Sequence, residues 1–320
     1  MENRIWPPHY SAADIDLIQR VPEWIKAHEG YSQAALARRC RISESSLTQI
    51  LKGTYVSSPS PLLAKVEQGM ANVDEAQGGG TMVVETSMYR LAVAACGMAR
   101  RYHNFAVLTG NVGTGKTFAL KHYAATHPNT HLVEATPTMT MRSMVKMLGR
   151  VVAGMDGRGC ADERFQAVVD VLKGTDSLLI LDEAETLSSP ILHTLRRLRD
   201  LTGVGIVLAG TEHLHGLIKP EHGAFGQIRS RTGFWPAPVK AITRDDAAAL
   251  IQGSFVGEEV TDEVVARLFA YSEGSARMLV EGLIAGIREY RRGMALDVKL
   301  VDAVAVQALC LPLLPKKAAT

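Results

Sequence analysis

Eight residues restrict this chain more than any others: Gly110-Asn111-Val112-Gly113-Thr114-Gly115-Lys116-Thr117. They follow a near-continuous apolar run, Phe105-Ala106-Val107-Leu108-Thr109, and lead into a helical pattern over 116–126. Glycines at 110, 113 and 115 let backbone N–H groups close on an anion. The helix that follows turns its positive end toward the same point. The pattern G-x-x-x-x-G-K-[ST] between a strand and a helix therefore predicts a phosphate-binding loop over residues 110–117. Lys116 is placed to reach the β- and γ-phosphates of ATP, and Thr117 to ligate Mg²⁺.

Such a loop needs a parallel sheet behind it. Three more short apolar runs fit buried parallel strands: His131-Leu132-Val133-Glu134-Ala135, Leu178-Leu179-Ile180-Leu181 and Gly205-Ile206-Val207-Leu208-Ala209. Helical patterns at 140–153, 162–173 and 190–201 lie between them. The expected fold class is α/β, a parallel-sheet P-loop core. After Pro238 the strands stop, and 243–254, 261–273, 275–292 and 297–309 read as a C-terminal helical lid. The tail from Pro312 to Thr320 is expected to fray.

Upstream, residues 1–55 are irregular and then helical. The breaker cluster Thr54–Pro61 follows, then a helical stretch over 62–75, and then Gln77-Gly78-Gly79-Gly80. Consecutive glycines make a joint. The expected division is a small all-α domain at 1–76, a linker at 77–84, the ATPase core at 85–240 and the lid at 241–320.

The run Leu178–Leu181 ends in Asp182-Glu183. A buried strand emerging there places Asp182 beside the Mg²⁺ and its waters, and Glu183 where it can orient and deprotonate an attacking water. With the phosphate loop, this pair points to ATP hydrolysis rather than phosphate binding alone. The next strand ends Leu208-Ala209-Gly210-Thr211, which puts a polar residue between the acidic strand and the γ-phosphate.

Residues 31–53 have a helix-turn-helix pattern. Leu36, Ala37, Ile42, Leu47 and Ile50 are spaced to seal two crossing helices, Ser43 suits an N-cap, and Gly53 a C-terminal stop. The second helix offers Glu44, Ser45, Ser46, Thr48 and Gln49 to a major groove. Arg38, Arg39, Arg41 and Lys52 would lie near phosphates of double-stranded DNA. Only Gln49 suits bidentate base reading, so sequence selectivity is expected to be weak.

Charge bears directly on this. The 320 residues carry 35 Lys+Arg and 33 Asp+Glu, a net charge of +2, so bulk charge does not hold the chain on nucleic acid. Local excess can. Residues 31–55 hold four basic residues against one acid, and Arg142, Lys146 and Arg150 form a stripe in an acid-free stretch, 138–155. Arg196, Arg197 and Arg199 make another cluster, which a subunit interface explains equally well. No apolar run is long enough to span a membrane, and the N-terminus lacks a signal peptide's apolar stretch. Cys40, Cys96, Cys160 and Cys310 lie far apart and read as reduced, mostly buried thiols of a cytoplasmic protein, without a disulfide framework or zinc site.

Further along come Gln227-Ile228-Arg229-Ser230-Arg231 and Gly274-Ser275-Ala276-Arg277. This order of parts resembles the AAA+ ATPases, in the branch of initiator-like and transposon ATPases. With the N-terminal helix-turn-helix it is similar to the MuB family of transposition proteins from Mu-like phages, and more distantly to TnsC- and IstB-type ATPases. The resemblance implies that Thr211 is the sensor-1 residue and Arg277 the sensor-2 arginine at the nucleotide. Arg229 or Arg231 would be the arginine finger for a neighbouring subunit's site. It also implies a bacterial-cell protein that assembles with ATP as a helical filament on target DNA, with little sequence specificity, and delivers that DNA to a transposase. Two other classes share some of these features: a helix-turn-helix transcription regulator with an ATP-dependent switch, which would footprint a defined operator, and a helicase-loader-type ATPase, which would prefer single strands.

Overall fold

Five parallel strands carry the architecture: β1 (Phe105–Thr109), β2 (Thr130–Glu134), β3 (Leu178–Asp182), β4 (Gly205–Gly210) and β5 (Thr232–Phe234). Their order across the sheet is β2-β3-β4-β1-β5. The computed structural model describes residues 6–28, 31–78, 83–155, 159–218, 226–291 and 293–315.

The three central strands, β1, β3 and β4, are buried at every position, so both faces need apolar side chains. Alternation along each strand divides those side chains between two layers. Phe105, Val107, Leu179, Leu181, Ile206 and Leu208 face one core. Into it pack α7 (Met141–Ala153), α8 (Ala161–Leu172) and α9 (Ser189–Thr202). Ala106, Leu108, Ile180, Val207 and Ala209 face the other, under α5 (Ser87–Tyr102) and α6 (Lys116–Thr126). Gly205 is required at the start of β4, because a Cβ there would lie 2.4 Å from the Ala99 carbonyl oxygen of α5.

The N-terminal helices are α1 (Ala12–Ala27), α2 (Gln33–Arg39), α3 (Glu44–Leu51) and α4 (Ser60–Gly78). Leu36, Ala37, Leu47 and Ile50 are fully buried between α2 and α3, and Ser43 caps α3 through the Ser46 N–H. Ile42 is only half-buried. After β4 come α10 (Glu212–Ile218) and α11 (Gly226–Arg229). The lid comprises α12 (Arg244–Ser254) and α13 (Asp262–Ser272), then a π-helical turn, Met278–Ile284, running into α14 (Ala285–Tyr290). Last comes α15 (Val298–Ala303), continued by π-helical residues Val304–Ala308. The Asp246 carboxylate serves two helix N-termini. It accepts from Ser87 N at 2.7 Å and Ser87 Oγ at 2.5 Å in α5, and from Thr243 N at 3.1 Å before α12. Burial pushes its pKa up, but these bonds outweigh burial and hold it below the ordinary carboxylate value.

Several expectations need correction. The strand β5 lacks an apolar run, since Gly233 interrupts it, and α5 buries Met88, Ala92, Ala95, Cys96 and Ala99 along one face of a helix in the stretch just before β1. Neither was foreseen. The helix expected at 62–75 extends over Ser60–Gly78, into the residues read as linker; positions 79–82 lie outside the described residues. Cys160 and Cys310 are exposed, so only half of the cysteines are buried. Pro312 to Pro315 does not fray, because the Arg267 guanidinium donates to the carbonyls of Leu314 (2.6 Å) and Pro315 (2.9 Å).

His131, on edge strand β2, is buried and hydrogen-bonded to the backbone of Val151 in α7. Desolvation drives its pKa down to about 4, aided by the charges of Arg38, Arg100 and Arg39. A histidine neutral in the fold and protonated when unfolded contributes its full stability above pH 6.5 and loses it as pH falls toward 4. Thermal or urea unfolding should therefore show up to about 3 kcal/mol of loss across that window. The loss should be blunted in His131→Gln.

Candidate active site

The loop between β1 and α6 is anchored on both sides before it reaches a ligand. Gly110 N donates to Gly210 O (3.2 Å) at the end of β4, and Asn111 N to Val239 O (2.9 Å). Asn111 Nδ2 donates to Lys240 O at 2.8 Å, and Thr114 Oγ1 to Asn111 O at 2.9 Å. Gly113 and Gly115 have φ of +82° and +93°, left-handed values that favour glycine, and Gly115 opens α6 without a side-chain cap. The helix N-terminus is left facing the loop. Lys116 Nζ donates to the carbonyls of Gly110 (2.7 Å) and Asn111 (2.9 Å), inside the curve of the loop. Val112 projects outward, largely exposed.

The acids arrive from β3. Asp182 is 2% exposed and accepts from Thr117 Oγ1 at 2.7 Å. These two hard oxygens, side by side, are a donor set suited to Mg²⁺. Glu183 leaves the strand in a left-handed conformation, φ 55°, and its N–H donates to Asp182 Oδ1 at 3.0 Å. Past that kink the Glu183 carboxylate is exposed. Its pKa is raised by burial, then by the like charges of Glu185 and Asp182, against the pull of Lys116. Desolvation lowers the Lys116 pKa, while Asp182, Glu183 and Glu185 oppose the shift.

Glu185 belongs to this constellation and was not anticipated. It lies in a single 3₁₀ turn, Ala184–Thr186, and its Oε1 accepts from the backbone N–H of Thr211 at 3.0 Å. The signal was present in the spacing Asp182-Glu183-Ala184-Glu185, two acids past the strand end. The lid also reaches the loop. Arg277 N donates to Gly113 O at 3.1 Å, and a Cβ on Gly113 would lie 2.4 Å from Ser275 Oγ. The Arg277 guanidinium itself is exposed and lies 3.8 Å from Glu281.

The structure thus brings together residues 110–117, Asp182, Glu183, Thr211 and the backbone of Arg277. It does not bring Arg229 or Arg231 to the same site. Arg231 O accepts from Phe105 N, at the opposite end of β1 from the loop, and its side chain pairs with Asp200 at 3.1 Å. Arg229 lies over the Trp235 ring at 6.0 Å.

The residues expected to face DNA divide. Arg142, Lys146 and Arg150 stand exposed on α7, opposite its buried Met144, Val145, Leu148 and Val152. Arg38, Ser45, Gln49 and Lys52 are exposed in the helix-turn-helix. Arg39 spends one of its donors within the chain: its Nη1 donates to Ala124 O at 2.5 Å in the last turn of α6, where Tyr31 Oη also donates to Ala125 O at 3.3 Å. Thr48 Oγ1 donates to Glu44 O and accepts from Gln33, and Ser46 Oγ bonds Ser43. Ser45 Oγ pairs with Ser43 Oγ at 3.0 Å, so all three hydroxyls are used within the motif. Arg196 bonds Gln227, and Arg199 the His103 carbonyl.

Sheet order, phosphate loop and acidic strand end are those of a P-loop ATPase. Residues 99–218 match the AAA domain family. The chain is 28% identical over 200 residues to the Mu-like prophage FluMu DNA transposition protein B of Haemophilus influenzae, covering 60% of this chain and 69% of that protein. It is 31% identical over 136 residues to the ATP-dependent target DNA activator B of Escherichia phage Mu, covering 41% of this chain and 43% of the relative. The resemblance read from the sequence is borne out by these relatives. Among solved structures, the Walker-type ATPase of Pyrococcus abyssi shares the fold, with a TM-score of 0.51 and 16% identity over 71% of this chain and 73% of that one.

Gly113 is tight against the lid and in a left-handed conformation. Gly113→Ala should weaken ATP binding at least about tenfold, through strain and the clash with Ser275. Fluorescent-nucleotide titration measures it, and circular dichroism should show the sheet intact.

Proposed function

We propose that this ATPase assembles with ATP on double-stranded DNA, largely without regard to sequence, and delivers that DNA to a transposase in the bacterial cytoplasm. The observation that carries the reading is the meeting of Lys116, the Thr117–Asp182 pair and Glu183 at one strand-end cluster under the lid. It occurs in a chain whose relatives are named for ATP-dependent target DNA activation and DNA transposition.

In this reading Lys116 and the loop N–H groups of residues 110–117 hold the phosphates, and Thr117 and Asp182 hold Mg²⁺, which screens the phosphate charge. Glu183 orients the attacking water and takes its proton; burial and the like charges of Glu185 and Asp182 raise its pKa and so its basicity. Thr211 senses the γ-phosphate from the end of β4, and Arg277 the nucleotide from the lid. Arg229 or Arg231, far from the site of its own chain, acts in a neighbouring subunit. The exposed stripe Arg142, Lys146 and Arg150 follows the DNA backbone, aided by Arg38 and Lys52, with Ser45 and Gln49 nearer the groove. The functional units are the helical domain at 1–76, the core at 85–240 and the lid at 241–320. No helix among the described residues is long and apolar enough to cross a membrane.

Electron microscopy of the protein with random-sequence duplex, with and without ATP, tests the assembly. Filaments that depend on nucleotide support it; a discrete complex on one sequence sinks it. Glu183→Gln should keep ATP binding but lower kcat by about 10²- to 10⁴-fold, and unchanged hydrolysis would remove its role as base. Neutralising Arg142 and Lys146 together should flatten the salt dependence of DNA binding by a slope of roughly two.

A further inference from the structure

We infer that Glu185 is a positioning residue for hydrolysis: it fixes the γ-phosphate-sensing residue, Thr211, against the acidic end of β3. This rests on the proposed role of Thr211 and goes one residue further.

Three observations converge. The turn Ala184–Thr186 is cross-linked to β4 by one bond, from Thr211 N to Glu185 Oε1 at 3.0 Å. The second oxygen, Oε2, is buried and without a hydrogen-bond partner among the described residues. It lies against Gly210, where a built Cβ would come within 2.1 Å of it. Glycine at 210 is therefore what admits the carboxylate to this position.

Stability does not explain such a group. A carboxylate oxygen buried without a hydrogen-bond partner costs desolvation that nothing among the described residues returns. Its gain is geometric. Gly210 O also accepts from Gly110 N, so the last residues of β4 are tied to the phosphate loop on one side and to the turn after β3 on the other. Thr211 O in turn accepts from Leu214 N as α10 begins. Loss of the Glu185 bond frees only the side of Thr211 that faces the acids. That displaces its side chain without dismantling the loop.

Steady-state ATPase assays on the full chain test this with a double-mutant cycle. Glu185→Ala should lower kcat roughly ten- to a hundredfold through misplacement. KM for ATP should stay within about twofold, because the lost interaction is not a ground-state binding contact. Glu185→Gln keeps a carbonyl acceptor for the Thr211 N–H and should recover most of the rate. Gly210→Ala leaves the carboxylate in the sequence but evicts it, and should reproduce the kcat loss. In a Thr211→Ala background, adding Glu185→Ala should cost less than about twofold, since no sensing side chain remains to position.

Equal losses in both backgrounds overturn the inference and assign Glu185 a direct role. A loss carried by KM, or a Gln variant as impaired as Ala, overturns it as well. Thr211→Ala hydrolysing ATP like the parent would sink the sensor reading itself, a failure distinct from additivity.

Discussion

The hydrogen bond between Thr117 Oγ1 and Asp182 Oδ2 joins the first residues of α6 to the last residue of β3. It can form only if the strands that carry its two ends finish level. They do to within one residue: Thr109 of β1 is paired with Gly210 of β4, while Leu181 of β3 is paired with Leu208, which puts Asp182 one step short of that level. A slip of one residue would turn Asp182 to the other face of the sheet. Register is in turn secured by burial on both faces, where Phe105, Val107 and Leu181 fill one core and Leu108, Ile180 and Val207 the other. The chemistry of the site is in this sense a property of the sheet. Loop, acids and Thr211 all issue from one row of strand ends.

Much of this arrangement was legible because it is written in short, local patterns. The four long strands announce themselves as apolar runs, and the loop as glycines followed by lysine and threonine. What was hidden depends on tertiary partners. Helix α5 buries alanines against Gly205, a fit whose value appears only when the two surfaces meet. The strand β5 exists because β1 offers it an edge, not because Thr232-Gly233-Phe234 has strand character of its own. Glu185 looked like one more acid near a strand end until the Thr211 N–H was placed against it. Arg39 read as a phosphate contact, and its partner proved to be a carbonyl 85 residues away in sequence.

The C-terminal helices are fixed to the core by a few specific contacts. Asp246 receives three donors from two helices, so α12 and α5 share one anchor. At the other end of the lid, Ser275 and Arg277 meet Gly113 at close range. Lid position is thereby constrained at a buried carboxylate and at a glycine. Both are points where a side-chain change has no room to be absorbed.

The grip of Arg39 and Tyr31 on the carbonyls of Ala124 and Ala125 has a mechanical meaning. Helix α6 is 11 residues, or about 16 Å at 1.5 Å per residue, and behaves as a short rigid strut. One end of the strut is the phosphate loop and the other carries the helix-turn-helix. The N-terminal domain is thereby bonded to the very helix whose first residue is the loop's Lys116.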